Sequence, residues 1–274
     1  MQQQAQNSYP ELGSRSIGRV NWIGLGTLYA RESRRFLKVW AQTLAAPAVT
    51  TILFMVIFSL ALGGNGRMVG DIPFSQFLAP GLIVMAILQN AFANTSSSIL
   101  ISKVQGNIVD TLMPPLSALE LTIGFVGGGI TRGIVVGMSV GTAFFLMPGV
   151  TIEIHHIIPI LYFALAASTM LSLLGVLTGI WAEKFDHSAA VTNFIVAPLS
   201  LLSGTFYSIE RLSAGWQAFS TANPFFYMID GFRYGFIDRA DSDLWVGFIY
   251  TFVLNSLLTL AVYIVFKKGY RLKA

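Results

Sequence analysis

The sequence contains no cysteine, which excludes disulfide bonds, thiolate metal ligands and a cysteine nucleophile. Charged residues are also scarce, at 11% of the 274 positions against about 25% in soluble domains. No lysine follows a glycine, so the chain lacks the Gly-Lys-Ser/Thr sequence of a phosphate-binding P-loop. The first twenty residues contain no apolar core, which argues against a secretory signal peptide.

Long hydrophobic segments are abundant, because 54% of the residues are hydrophobic. A membrane-spanning helix needs about 20 apolar residues, and six segments predict such helices: 41–62, 76–98, 119–146, 156–181, 191–207 and 245–266. The fifth is short and contains Pro198 and Gly204, which is typical of a broken or re-entrant helix. We therefore expect an all-α membrane protein with a polar tail, 1–20, and one transmembrane domain, 21–274.

The distribution of Lys and Arg predicts the orientation of these spans. Six spans place both termini on one side, and the two tails and the loops on that side contain twelve of the seventeen basic residues. The opposite loops contain four. Because basic residues collect on the cytoplasmic side, both termini are expected there. The net charge of +4 therefore reflects the membrane flanks and does not indicate nucleic-acid binding.

Residues 21–40 predict an amphipathic helix before the first span. On a helical wheel the aromatic side chains of Trp22, Tyr29, Phe36 and Trp40 share one face, and four cations occupy the opposite one. A helix of this kind lies flat in the membrane interface. It serves either as a simple anchor or as an elbow that steadies the first span against a moving partner.

The segment 101–115 between spans two and three is too polar to cross a membrane. Its apolar residues recur at helical spacing and predict one stripe on a short helix that ends at the two prolines: Ile101, Val104, Ile108 and Leu112. The stripe docks either into a groove of a soluble partner or onto the spans of its own chain.

One charged residue, Arg132, lies well inside a predicted span, where a cation needs a partner or a water-filled site. Glu120 is a candidate partner. The alternatives are a polar point on a substrate route or subunit interface, and a structural ion pair. No acidic residue lies deep in a span, which argues against proton coupling. The adjacent His155 and His156 lack a third ligand nearby, so no metal site is expected.

The segment 206–244 before the last span is long and semi-apolar. Asn223 followed by Pro224 predicts a helix start, with the asparagine as the N-cap. Asp230 and Arg233 are three residues apart and able to pair on one helix face. So much aromatic surface is expected to dip back into the outer leaflet, either as an outer gate or as an apolar cap on the bundle.

Four motifs in this order and spacing carry a resemblance to a known family: residues 32–36, 110–115, 127–133 and 223–233. The chain resembles the membrane subunit of type-2 ABC exporters, the ABC-2 permeases of bacterial drug, lipo-oligosaccharide and polysaccharide exporters. The resemblance covers nearly the whole chain after residue 20. The short outer loops resemble the branch that exports drugs or small amphiphiles.

The resemblance implies a six-span permease of the bacterial inner membrane that forms a homodimer and recruits two copies of a separate ATPase. That partner binds the ATP, and no cofactor is expected on this chain. In the family the helix after span two is the coupling helix, which here contains Ile101, Val104, Ile108, Asp110 and Leu112. The segment before span six re-enters the membrane, which assigns an outer gate to Asn223, Pro224, Asp230 and Arg233.

Two other function classes remain as alternatives. A membrane-embedded enzyme needs clustered acids, a histidine–acid set or a metal triad, and the sequence offers none of these. An autonomous channel or secondary carrier needs no ATPase, and the missing carboxylates in the spans argue against the proton-driven kind.

Overall fold

The computed structural model describes residues 18–62, 68–148, 150–209 and 212–271. Most of the predicted polar tail therefore lies outside the described residues. The same holds for Arg15, Arg67, Arg211 and Lys273, four of the basic residues on which the predicted orientation depends.

The described chain is almost entirely helical, as expected. Its α-helices are α1 (Trp22–Leu37), α2 (Ala46–Leu62), α3 (Phe74–Val104), α4 (Ile108–Leu112), α5 (Ala118–Phe145), α6 (Ile157–Trp181), α7 (Phe185–Val191), α8 (Ala197–Leu201), α9 (Ala214–Ala222), α10 (Pro224–Ile237) and α11 (Leu244–Lys268). Two π-helical segments, Ala41–Ala45 and Thr192–Val196, precede α2 and α8. A short antiparallel hairpin joins α2 to α3 through β1 (Met68–Val69) and β2 (Ile72–Pro73).

Within the described residues, five helices are long and apolar enough to cross a membrane: Ala41–Ala61, Phe74–Val104, Ala118–Phe145, Ile157–Trp181 and Leu244–Lys268. They agree with five of the six predicted spans. The sixth prediction, 191–207, instead falls on a helical run from 185 to 201 and on the irregular chain that follows. At about 1.5 Å per residue this run is shorter than the roughly 30 Å hydrocarbon core.

Helix α3 is the centre of the bundle, and most of its residues are buried. Glycines on its neighbours permit close approach: a Cβ at Gly175 of α6 would lie within 2.1 Å of the Thr95 hydroxyl oxygen. Helices α2 and α11 lie at the periphery, where few of their residues are buried. In a bilayer these two helices are available to lipid or to another chain.

The two ends of the bundle are chemically distinct. The end that contains α4, here called the α4 end, is filled by one apolar cluster: Leu28, Ile99, Ile108, Leu121, Phe125, Val126, Leu173, Val176, Ile180, Val262 and Phe266. The opposite end, here called the hairpin end, contains β1 and β2 and the first turns of α3, α6 and α11. There the Tyr162 hydroxyl donates a 2.8 Å hydrogen bond to the carbonyl of Phe248.

Candidate functional site

Helix α4 is shorter than the sequence predicts. A continuous helix over 101–115 is wrong, because α3 ends at Val104 and the chain turns before α4 begins at Ile108. Gly106 makes this turn with φ = 74°, a left-handed conformation that favours glycine. Ile101 and Val104 therefore lie on α3, whereas Ile108 and Leu112 lie on a separate short helix.

The apolar stripe does not form the exposed face of α4. Ile108 is only 6% exposed within the apolar cluster of the α4 end, and Leu112 is partly buried against that cluster. The exposed side chains are instead Val109, Asp110 and Met113, the last of these 76% exposed. Of the two alternatives for Ile108 and Leu112, packing on the chain's own spans is therefore the one observed.

Hydrogen bonds join α4 and the segment after it to α1. The Arg31 guanidinium donates to the hydroxyl of Thr111, a buried residue of α4, at 2.7 Å. The Asn21 side chain, which also caps the N-terminus of α1, donates to the carbonyl of Pro115 at 3.2 Å. Displacement of α4 is therefore expected to displace α1.

Glu120 has a structural role at the start of α5. It completes a capping box with Ser117 and also accepts a hydrogen bond from the backbone N–H of Asn21. Through these contacts Glu120 joins the start of α1 to the start of α5. The suggested ion pair between Glu120 and Arg132 is wrong, because Arg132 lies more than three turns further along the same helix.

A cluster of buried and half-buried polar side chains lies between α1, α3 and α5. We call Glu32, Arg35, Asn90, Asn94 and Arg132 the inner polar cluster. Glu32 is completely buried and forms ion pairs with Arg31 at 3.0 Å and with Arg35 at 3.6 Å. The Arg35 guanidinium also donates to the side-chain oxygen of Asn94 at 3.1 Å. One turn away, Arg132 donates to the side-chain oxygen of Asn90 at 3.1 Å.

The helix contacts around Glu32 depend on one glycine. A Cβ at Gly128 of α5 would lie 2.4 Å from the Cβ of Glu32, so a side chain there would separate α1 from α5. Burial lowers the pKa of Arg35, and the neighbouring Glu32 carboxylate partly offsets this effect. The ion pair therefore compensates for the desolvation of the arginine.

Two cavities border the inner polar cluster. A groove of about 960 Å³ lies between α1 and the last turns of α3 and is lined by Glu32, Arg35 and three exposed cations, Arg31, Arg34 and Lys38. A second cavity of about 360 Å³ lies between α2 and α3 and includes Asn90 in its lining. The polar cluster thus connects a basic groove at the α4 end to a cavity further along the bundle.

Helix α1 forms as predicted, but its inward face differs from the aromatic face of the helical wheel. The side chains that face the protein are Leu28, Glu32 and Phe36. Trp22 and Trp40 are largely exposed, as an interfacial position requires. The position of α1 in the membrane interface stays a prediction, whereas Phe36 packs on protein and not on lipid.

The predicted outer residues cluster at the hairpin end. Asn223 caps α10 by accepting from the N–H of Phe225 at 3.0 Å, and Pro224 is the first helical residue, as predicted. Asp230 and Arg233 are both buried, and each has its own backbone partner. Asp230 accepts from the N–H groups of Asp241 and Ser242, both at 2.9 Å.

Arg233 connects α10 to two other segments. It donates to the carbonyl of Gly204 at 2.6 Å, and its guanidinium lies 3.8 Å from the centre of the Phe77 ring. Arg233 thus joins α10 to Gly204, and Asp230 joins it to residues 241–242. Asn223 joins the start of α10 to the carbonyl of Leu199.

His156 makes a further contact at the hairpin end. His156 stacks on Tyr234 and forms a 2.8 Å hydrogen bond with Asp238, which ends α10 in the left-handed conformation. This hydrogen bond lowers the pKa of the Asp238 carboxyl group. Within the described residues no group of three His, Asp or Glu side chains is placed to hold a metal ion.

Comparisons with known proteins identify the family. The sequence model described as ABC-2 type transporter matches residues 24–237. The inner membrane transport permease YadH of Escherichia coli K12 is 35% identical over 245 residues, which cover 89% of this chain and 93% of the relative. Nodulation protein J of Rhizobium leguminosarum bv. viciae is 24% identical over 224 residues, which cover 79% of this chain and 82% of that protein.

The chain belongs to the ABC-2 type transporter family. It is therefore a membrane permease subunit of an ABC transporter and not an enzyme, and membership implies an ATPase partner. The family assignment expected from the motifs is confirmed.

In this ABC-2 permease, helical periodicity identified the region of α4 but missed several residues that build the site: Glu32, Asn90, Asn94, Val109 and Met113. One signal was available for Glu32, which is the single acid among the cations of residues 21–40. For Asn90 and Asn94 the four-residue spacing alone gave no indication of their arginine partners. Those contacts depend on how α1 and α5 pack against α3.

Proposed function

We propose that this chain is the membrane-spanning subunit of an ATP-driven exporter in the bacterial inner membrane. It moves a hydrophobic or amphiphilic substrate, such as a drug, lipid or glycolipid, and a separate ATPase supplies the energy. The observation that carries this proposal is α4, a short helix with an exposed face that is hydrogen-bonded through Thr111 to α1. The lack of a P-loop sequence in residues 1–274 supports a separate ATPase subunit.

The proposed topology has six crossings. The final turns of α6 and α11 share one apolar cluster at the α4 end, since both Ile180 and Phe266 belong to it. Helix α11 nevertheless begins at the hairpin end, where Phe248 contacts Tyr162. The chain between α6 and α11 must therefore travel from one end to the other, and the run 185–201 is the segment available for that crossing.

We place the α4 end and both termini in the cytoplasm. The basic residues of α1 and the C-terminal Lys267, Lys268 and Arg271 support this orientation, because cytoplasmic flanks are rich in Lys and Arg. The same orientation places α4 where a soluble ATPase has access to it. It also places α10 on the outer side, where we propose that it re-enters the outer leaflet beside an outer gate.

The proposed coupling surface is the exposed face of α4, formed by Val109, Asp110 and Met113. Exposed apolar side chains beside one charge suit a groove on a soluble protein. ATP binding closes two ATPase subunits, and their motion displaces α4, α1 and the start of α5 together. Differential affinity of the ATPase pair for the two permease states supplies the population shift.

The proposed assembly contains two copies of this chain and two copies of the ATPase. Support comes from α2, whose outward face carries large apolar side chains along its length, including Val49, Leu53, Ile57 and Leu60. Lipid or a second copy covers such a face in a membrane. Export, and not import, is the direction that the family resemblance favours.

Co-purification with the ATPase tests the proposal. The permease with Val109→Arg and Met113→Arg is expected to lose the ATPase, because the substitutions place two cations on the docking surface. A permease with Tyr270→Arg places a cation on an exposed side chain after the end of α11, outside both the span and α4, and serves as a control for charge. This control variant is expected to co-purify with the ATPase as the wild type does.

Two outcomes would contradict the proposal. Retention of the complex, with unchanged ATP hydrolysis, in the α4 double variant would remove α4 as the coupling surface. Substrate flux by the purified permease in liposomes without any ATPase would instead support an autonomous channel or secondary carrier.

A further inference from the structure

Arg132 is a cation in the middle of α5 that lacks an acidic partner. Its one hydrogen bond in the structure runs to the neutral side chain of Asn90, and its Nε has no hydrogen-bond partner. Among the described residues no carboxylate lies within ion-pair distance of it. A guanidinium at this depth in a membrane is costly without a counter-charge or access to water.

The inner polar cluster does not contain enough negative charge to neutralise Arg132. Its single acid, Glu32, is already shared between Arg31 and Arg35. Arg35 is also close enough to Arg132 to repel it electrostatically. The cluster therefore has an excess of positive charge, and Arg132 carries it within a membrane-spanning helix.

Hydrogen-bond donors without partners also indicate that the cluster lacks an anion. The Nε of Arg35 and the side-chain nitrogen of Asn94 are buried without partners, like the Nε of Arg132. The cluster also contains one buried acceptor without a hydrogen-bond partner, the Oε2 of Glu32, which lies 3.6 Å from the Arg35 guanidinium in an ion pair. Unpartnered donors therefore outnumber unpartnered acceptors by three to one, which indicates a missing acceptor. An oxyanion has several acceptor oxygens and a negative charge, so it would accept hydrogen bonds from these donors and would neutralise Arg132.

The surroundings suit a ligand with a charged head and an apolar tail. The basic groove of about 960 Å³ reaches Arg35 from the α4 end. The cavity of about 360 Å³ beside Asn90 has Phe54, Leu82 and Met85 in its lining. A headgroup at the asparagines would thus have basic side chains on one side and apolar side chains on the other.

We infer that Arg35 and Arg132, together with Asn90 and Asn94, form a binding site for the phosphate headgroup of a membrane amphiphile. Guanidinium groups bind phosphate through paired charge-assisted hydrogen bonds. Asn94 contributes its free N–H. The inference rests on the proposed function and narrows its cargo to amphiphiles with an anionic headgroup.

Binding without nucleotide tests the inference separately from transport. The purified permease–ATPase complex in a neutral detergent is titrated with dioctanoyl phosphatidic acid, with dioctanoyl phosphatidylcholine or with inorganic phosphate. Calorimetry and the thermal melting temperature give the affinities. We expect phosphatidic acid to bind at least about tenfold more tightly than phosphatidylcholine, because the latter has no net negative charge. Competition by inorganic phosphate would show that the headgroup alone suffices, and its absence would show that the acyl chains are also needed.

Variants locate the site within the cluster. Arg132→Gln is expected to weaken binding of phosphatidic acid about tenfold or more, and Arg132→Lys less, because lysine keeps the charge but not the paired donors. Lys268→Gln is the control for charge, since Lys268 is an exposed cation at the end of α11 and lies outside both the inner polar cluster and the basic groove. It is expected to change the affinity less than about twofold.

Asn90→Asp keeps the test valid if Arg132→Gln fails to fold. The new carboxylate would neutralise Arg132 internally, so the melting temperature without ligand should be maintained or raised while binding of phosphatidic acid is lost. Equal loss of binding in Lys268→Gln and Arg132→Gln would overturn the inference in favour of a diffuse basic surface. Unchanged binding in Asn90→Asp, or equal affinity for phosphatidylcholine, would also overturn it.

The outcomes separate the inference from the proposed function. A complex that assembles and hydrolyses ATP but does not discriminate phosphatidic acid would remove the headgroup site and leave the permease assignment intact. Failure to recover any ATPase complex would count against the proposed function, and the permease alone would then still report on phosphate binding.

Discussion

The guanidinium of Arg31 donates a 2.7 Å hydrogen bond to the hydroxyl of Thr111, and this contact joins the interface helix α1 to the short helix α4. Arg31 also forms an ion pair with the buried Glu32, which lies against Ser98 of the central helix α3. A displacement of α4 therefore reaches the centre of the bundle through two side chains of α1.

Thr111→Val is predicted to weaken coupling without preventing assembly. Valine has nearly the same shape but cannot accept the hydrogen bond from Arg31, and a net loss of about 1 kcal/mol is typical for one such bond. The ATPase should still co-purify, while stimulation of its ATP hydrolysis by the permease in liposomes falls several-fold. Thr27→Val on the exposed side of α1 is the control, and equal hydrolysis in Thr111→Val and wild type would refute the prediction.

Truncation of two neighbouring side chains of α4 is predicted to affect different properties, namely the stability of the fold and the binding of the ATPase. Ile108→Ala should lower the free energy of unfolding by about 2–5 kcal/mol, because Ile108 is buried in the apolar cluster of the α4 end. Val109→Ala should leave stability nearly unchanged and weaken ATPase binding, because Val109 is exposed. Melting temperatures and pull-down affinities measure the two effects, and the reverse pattern would invalidate the assigned orientation of α4.

Gly128→Ala is predicted to displace α1 from α5. The added Cβ would lie 2.4 Å from the Cβ of Glu32, which is too close unless one helix moves. Gly141→Ala in the same helix is the matched control, since its nearest contact would be an ordinary 3.7 Å to Ile83. Only the first variant should lower the melting temperature and make α1 more accessible to protease; similar behaviour of both would contradict the close contact.

Asp238→Asn is predicted to destabilise the hairpin end in a pH-dependent manner. The hydrogen bond from His156 lowers the pKa of Asp238, so the ionised carboxylate stabilises the fold above the ordinary aspartate pKa of about 4. This contribution is lost as the pH falls through the lowered pKa. The variant should therefore melt below wild type at pH 7, and the difference should shrink towards pH 3. A difference that is constant over this range would argue against ionisation of Asp238 as the cause.

Local features of the chain were predictable from the residues that form them. The N-cap of α10 at Asn223 and its first residue Pro224 were found where the local sequence places them, because capping depends on neighbouring residues alone. The break at Gly106 was missed, since apolar residues recur at helical spacing on both sides of it. Periodicity does not reveal that a glycine in between adopts a positive φ.

The partners of the charged residues were not predictable. Arg132 was assigned Glu120 as a candidate, the acid nearest to it along α5, but it contacts Asn90 of α3. The spacing of Asp230 and Arg233 allows them to pair with each other, but the hydrogen bonds of each go to backbone groups of another segment. Such choices depend on which helices pack side by side and on the cost of burying each polar group.

The sequence by itself determined that the chain is helical and that lipid is its solvent, since long apolar segments in a membrane must satisfy their backbone hydrogen bonds within the helix. It also determined that the chain contains no P-loop to bind ATP. Only the tertiary structure decided that Ile108 faces the bundle while Val109 faces outward, and that Arg132 has an amide and not an acid as its partner. Those outcomes follow from contacts between residues far apart in the chain, which no local pattern specifies.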